Sequence, residues 1–173
     1  MNATFIRIGA CARLLCGMVL VCTMTAACGE DETTPFPREE VARLTAEIRK
    51  DPENDQLRRD FIDLLRGRTL RTPAEGTYKL LESAAMIEDA GKPNDLTRAI
   101  AIYKRVANSV PWYVGVYMYL GLACEKAGDW AQAKRYYDLF LYAGADYSVV
   151  PAELSIVREA LHRVEGEIEK SRR

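Results

Sequence analysis

Tyr117-Met118-Tyr119-Leu120-Gly121-Leu122-Ala123-Cys124-Glu125-Lys126-Ala127-Gly128-Asp129-Trp130-Ala131-Gln132-Ala133 is the stretch on which the fold turns. Its apolar residues recur at helical spacing on both sides of Gly128-Asp129, so it reads as two helices joined by a tight turn. Gly121 and Ala133 are small where the two helices must cross closely. Tyr117, Trp130 and, one turn further on, Tyr137 are large enough to fill the gaps around that crossing. An antiparallel helical hairpin follows from packing alone.

Working outward, the helical period continues and no alternating strand pattern of any length appears. Val41, Leu44 and Ile48 mark a first helix, broken by Asp51-Pro52-Glu53-Asn54, and Leu57, Phe61, Leu64 and Leu65 mark a second that ends near Gly67. Thr72-Pro73-Ala74-Glu75 offers an N-cap, a proline at the first helical position and a glutamate for a capping box, opening a third helix to about Ala90. Gly91-Lys92-Pro93 stops it. A fourth is expected from Asp95 to Asn108, a fifth from Pro111 to Lys126, a sixth from Asp129 to Tyr142 and a seventh from Pro151 to Lys170. Short turns make antiparallel hairpins the default connection.

The spacing of Tyr117, Leu120-Gly121, Gly128-Asp129-Trp130, Ala133, Tyr137 and Phe140 resembles the tetratricopeptide repeat, a 34-residue helical hairpin. Cys124 stands where that family usually has tyrosine, and Ala145 where it has the closing proline. A looser copy runs through Leu80, Ala84, Ile87, Gly91, Ala99, Tyr103, Val106 and Pro111, with about three extra residues in the turn around Pro93. It ends where the next begins, at Val114. All nine tyrosines lie between Tyr78 and Tyr147, in the same region. The resemblance implies an all-α fold of antiparallel hairpins stacked as a short, right-handed, tetratricopeptide-like superhelix. It divides the chain into an N-terminal hairpin (38–72, a degenerate third unit), two repeats (73–147, about 77–113 and 114–147) and a C-terminal capping helix (148–173).

The first residues have another purpose. Arg7 and Arg13, with no acidic neighbour, precede the apolar run from Leu14 to Cys22, and small residues follow; this is the order of a secretory signal peptide. The stretch from Leu14 to Ala27 is shorter than the roughly 20 residues that span a bilayer as a helix. Thr25-Ala26-Ala27-Cys28 resembles the lipobox of bacterial lipoproteins, with Thr25 in place of the family's usual leucine. That resemblance implies removal of residues 1–27, diacylglyceration of Cys28 and an acylated new N-terminus; several acyl chains hold stably where one holds marginally. Gly29 in place of the family's inner-membrane retention aspartate implies the outer membrane, facing the periplasm, if the host has two membranes. Residues 28–37, acidic and interrupted by Pro35 and Pro37, read as a flexible tether.

Processing also changes the arithmetic of charge and sulfur. Without Arg7 and Arg13 the chain keeps 22 basic and 25 acidic side chains, which argues against a generic nucleic-acid binder. Cys11, Cys16 and Cys22 leave with the leader and Cys28 carries the lipid, so Cys124 alone remains, and neither an internal disulfide nor a structural zinc site is expected. No cofactor is implied beyond the lipid. His162 is the single histidine and lies among Arg158, Glu159, Arg163 and Glu165; a solvated surface group, not a catalytic base, is the expectation. With no phosphate-cradling loop either, the chain does not read as an enzyme.

A repeat superhelix offers instead a concave face. In the family register it carries Tyr78, Leu81, Ala85, Glu88 and Asp89 from one repeat and Gly115, Met118, Leu122, Glu125 and Lys126 from the next. This apolar strip bordered by acid suits a helical or extended peptide of another envelope protein, with an apolar face and basic flanks. Equally, the same side chains can serve only to pack the helices. Two further surfaces compete with the groove. Arg58, Arg59, Arg66, Arg68 and Arg71 form either a solvated run or a contact to anionic headgroups. Leu154, Val157, Leu161, Val164 and Ile168 form a coiled-coil-like seam that either caps the last hairpin or makes a homo-oligomer through residues 151–170. The expected function is a membrane-anchored scaffold or adaptor in the bacterial envelope; the alternative is a structural lipoprotein that self-associates through its last helix.

Overall fold

A computed structural model of the chain describes residues 37–68, 73–89, 94–144 and 151–173. The leader, Cys28 and most of the tether, together with Arg71, the Thr72 cap, the Gly91-Lys92-Pro93 stop, Ala145 and Tyr147, lie outside the described residues. Within them the fold is all-helical, with seven helices: α1 (Arg38–Lys50), α2 (Asp55–Leu65), α3 (Glu75–Asp89), α4 (Asp95–Ser109), α5 (Gly115–Lys126), α6 (Trp130–Ala143) and α7 (Pro151–Ser171).

Local chemistry accounts for most of the boundaries. The Asn54 side-chain oxygen accepts the backbone N–H groups of Gln56 and Leu57 at 3.1 and 3.2 Å, starting α2, and Asp129 accepts that of Gln132 at 3.2 Å, starting α6. Gly128 takes φ +74° in the α5–α6 turn, a conformation that side-chain-bearing residues resist. Two helices begin later than the sequence suggests. Helix α3 starts at Glu75, leaving Pro73 outside, and α5 starts at Gly115 instead of Pro111. At α5 the cause is tertiary: the Trp112 ring stacks on Phe61 of α2, centroids 6.5 Å apart. The turn through residues 110–114 is thereby pinned to the first hairpin and leaves the helical path.

From α3 to α7 each helix packs on its successor, α5 on α6 most extensively, and α7 also reaches α5. The α5–α6 crossing is as close as Gly121 allows: a Cβ there would lie 2.3 Å from the Tyr137 ring. Tyr103, Tyr117, Tyr136 and Tyr137 are buried around these crossings with Leu120, Leu139 and Phe140. Cys124 is a buried free thiol, as expected, and burial pushes its pKa up to about 11. Along α7, Val157, Ala160 and Val164 are fully buried, and the helix packs principally on α6. Of the seam, Val157 and Val164 are covered within the chain, while Leu154, Leu161 and Ile168 pack against the core half-buried.

The first hairpin is not stacked ahead of α3 as a third unit: α1 packs on α4, and α2 on α6. The sequence holds the reason. Where α5 meets the preceding hairpin it presents Val116, Tyr119, Leu120 and Ala123, but at the matching places α3 has Lys79, Glu82, Ser83 and Met86, the last 75% exposed. Such a face cannot bury a neighbouring hairpin. Helices α1 and α2 instead use Leu44, Ile48, Phe61, Ile62 and Leu65, all buried, to cover the α4–α6 side.

A polar latch fixes this attachment and overturns the reading of the arginine run as one face. Arg58 is 2% exposed. It donates to Asn108 Oδ1 at 2.6 Å, to the Pro52 and Ala107 carbonyls at 2.9 and 3.3 Å, and to the Tyr117 hydroxyl at 3.3 Å. From the other side Arg135 of α6 binds Asp55 at 2.6 Å and also pairs with Glu53. Arg59 and Arg66 lie over the Tyr142 ring, and Tyr142 donates to Asp63 at 2.7 Å. Arg68 donates to the Leu64 carbonyl at 3.1 Å. These arginines are engaged in joining and finishing helices.

Candidate interaction groove

Helices α3 and α5 are the first members of their hairpins, and the nominated groove residues fall on them. The structure separates those residues into four kinds. Leu81 is only 7% exposed, so it is core and drops out of the candidate surface. Tyr78, Ala85, Met118 and Leu122 are half-buried, and the last two pack against the core while keeping a solvent-facing edge. Glu88, Glu125 and Lys126 are held in ion pairs, and Asp89 is exposed.

The ion pairs repeat. Glu88, near the end of α3, accepts from Tyr103 of α4 at 3.2 Å and pairs with Lys126 of α5. Glu125, near the end of α5, accepts from Tyr137 of α6 at 2.6 Å and pairs with Arg163 of α7 at 3.1 Å. Both ion pairs span 38 residues. The tyrosine lies 15 residues after its glutamate in the first hairpin and 12 after it in the second. That difference is the three-residue excess in the turn around Pro93. Each glutamate therefore ties the second helix of its own hairpin to the first helix of the next. Burial, reinforced by the adjacent carboxylate, holds the Tyr103 and Tyr137 phenols far above their ordinary range, so both stay protonated donors.

This changes the electrostatics of the strip. The border read as acidic is neutralised rung by rung, and Glu82, Asp89 and Glu159 have no ion-pair or hydrogen-bond partner among the described residues. At the other end is an aromatic cluster that the sequence reading did not single out beyond Tyr78. Tyr113 meets Tyr78 edge to face at 5.9 Å, and Tyr119 stacks on buried Tyr103 at 5.7 Å. Burial and the neighbouring Tyr119, Tyr78 and Glu153 raise the Tyr113 phenol. Gly115 lies under the Tyr113 ring, where a Cβ would come within 3.3 Å. Met118 and Leu122 of α5 and Ala85 of α3 are thus half-buried apolar residues on the helices that also carry half-exposed Tyr78 and Tyr119 and the glutamates of the two ion pairs.

The remaining expectations concern chemistry. His162 is exposed, and no group of three or more histidine, cysteine or acidic side chains is placed to hold a metal among the described residues. No described helix is long and apolar enough to cross a membrane. The sequence offered a signal for the ladder, a glutamate ending each first helix with a tyrosine in each second one, but read the glutamates as ligand contacts. Comparison of the chain with protein-family models, with curated proteins and with solved structures gives no match.

Proposed function

We propose that this protein is a lipid-anchored helical-repeat scaffold of the bacterial envelope, which captures an apolar peptide segment of another envelope protein along α3, α5 and α7. The observation that carries the reading is the half-buried Met118–Leu122 edge of α5, flanked by Tyr78, Tyr113 and Tyr119. Aromatic and methionine side chains give large contact area at small entropic cost and accommodate varied partners. A neutral ladder along one side lets an apolar segment dock without stranding a charge. Asp89 and Glu159, which have no partner among the described residues, favour basic flanks on that segment. We keep the tetratricopeptide-like, right-handed superhelix as part of this proposal, for the two hairpins α3–α4 and α5–α6 with α7 as their cap.

Lipid attachment at Cys28 and export rest on the residue order around the lipobox. Helix-seven self-association is the weaker alternative, because Val157 and Val164 have no exposed surface to offer a second copy. The test is covalent crosslinking in the native membrane, comparing the parent with Met118→Glu/Leu122→Glu. Both positions pack against the core on one side, so the circular dichroism spectrum of the double variant is checked first; a partner captured by the parent and lost in a folded variant supports the groove. Equal capture by both, or crosslinks only between copies through residues 151–170, refutes it. For the anchor, Cys28→Ser is expected to leave an uncleaved, slower-migrating precursor without incorporated fatty acid.

A further inference from the structure

A second recess, of about 530 Å³, lies away from the Met118–Leu122 floor, between the end of α5, the start of α6 and the last turns of α7. Trp130, half-buried at the first position of α6, forms one wall. Gly166 of α7 also lines the recess, and no atom lies within 4 Å of where its Cβ would be, so this side is open. The rim is charged but balanced. Arg163 is paired with Glu125, and Lys170 donates to Glu167 at 2.6 Å. His162, exposed on the same rim, makes no hydrogen bond to the described residues.

The combination selects a ligand class. The Glu125–Arg163 and Lys170–Glu167 pairs balance one another, so the rim offers no net charge to draw an anion or a cation. Arg163 and Lys170 are well exposed and stay hydrated, and a purely aromatic ligand would leave their remaining hydrogen-bonding capacity unused. A neutral saccharide meets both demands. One face of its ring is apolar and covers the indole, and its edge carries hydroxyls that each donate and accept. We propose that this cleft binds a neutral saccharide, with a sugar ring stacked on Trp130 and hydroxyls bridging the Arg163–Glu125 and Lys170–Glu167 pairs. The site shares the Glu125–Arg163 rung with the peptide groove and is set apart from it by Trp130 and Gly166.

The test isolates Trp130. Trp112→Phe keeps an aromatic ring against Phe61 and removes an indole N–H that is buried without a hydrogen-bond partner, so it leaves Trp130 as the single indole at small structural cost. The full chain carrying this change is titrated with chitotriose, and in parallel with acetyl-tyrosinamide, following the indole N–H resonance and fluorescence. Chitotriose is expected to give a saturable shift with a low-millimolar Kd, typical of one or two stacked rings. Gly166→Leu, which fills open space and adds a helix-favouring residue, is expected to weaken it at least about tenfold with an unchanged circular dichroism spectrum. If Trp112→Phe folds poorly, the two indole resonances of the parent are followed instead. No saturable shift up to roughly 20 mM, an undiminished one in Gly166→Leu, or tighter binding of acetyl-tyrosinamide overturns the proposal.

Discussion

One substitution made at two places should have opposite effects on stability. At Gly121 a new Cβ would lie 2.3 and 2.4 Å from two carbons of the Tyr137 ring, far inside van der Waals contact. That ring cannot step aside freely, because Tyr137 is fully buried and its hydroxyl donates to Glu125 at 2.6 Å. Gly121→Ala therefore incurs overpacking of about 1–3 kcal/mol. If the ring shifts enough to lose its carboxylate acceptor, about 1.5–3 kcal/mol more is forfeited. Against this the helix gains roughly 0.8–1 kcal/mol from replacing glycine. The net expectation is a loss of about 0–2 kcal/mol if the hydrogen bond survives and about 1.5–5 kcal/mol if it does not. At Gly166 nothing lies within 4 Å, so only the helix gain remains, and Gly166→Ala should stabilise by up to about 1 kcal/mol. Urea denaturation followed by circular dichroism reads both, as opposite shifts of the midpoint with an unchanged slope. A Gly121→Ala midpoint at or above the parent's would refute the close-crossing account of the α5–α6 hairpin. Partial recovery in Gly121→Ala/Tyr137→Leu, which removes the obstructing ring, would place the strain at that contact.

Three further outcomes are expected. Arg58→Met should cost about 1–3 kcal/mol in the same assay, since Asn108 and two backbone carbonyls lose their donor while buried; Arg58→Lys should not restore them, lacking the guanidinium's fork. Thermal stability should fall as pH rises from about 8.5, where an unfolded thiol begins to ionise, through about 11, the raised value for Cys124. Folding binds that proton more tightly, so the contribution is complete below the unfolded value and lost above it; Cys124→Ala should delay the decline until the buried tyrosines take over above about pH 10. Arg163→Ala should cost less than about 1 kcal/mol because the guanidinium is well exposed, whereas Tyr137→Phe, which leaves Glu125 short of a buried donor, should cost more.

The hairpins were legible because their signals are local. Gly121, Gly128, Asp129 and Ala133 state where helices cross and turn within a window of seventeen residues, and the apolar period supplies the rest. The placement of α1 and α2 was not legible in that way. Their apolar stripes are ordinary, and the information that excludes them from α3 lies in what α3 lacks relative to α5: Lys79, Glu82 and Ser83 where α5 has Val116, Tyr119 and Leu120. Arg58 misled for a related reason. In sequence it belongs to a charged run, whereas in space it occupies the core-facing stripe with Phe61 and Leu65 and finds its acceptors some 50 residues away. Of the nominated groove residues, Met118 and Leu122 keep partly exposed surface, but the sequence could not say that Leu81 is core or that Glu88 and Glu125 were already committed to Tyr103 and Tyr137.

The latch between the first hairpin and the repeats bears on how such a molecule can change over time. A solenoid whose units touch only their neighbours can gain or lose a unit at small cost, and it frays from its ends. Here Asp55 meets Arg135 across 80 residues and Asp63 meets Tyr142 across 79, while α1 rests on α4. A unit inserted between α4 and α6 would move these partners apart by about one helix-packing distance, roughly 8–10 Å, and break the attachment. The array is therefore closed to insertion at that point. A clasp holds it there, and it should melt as one cooperative body.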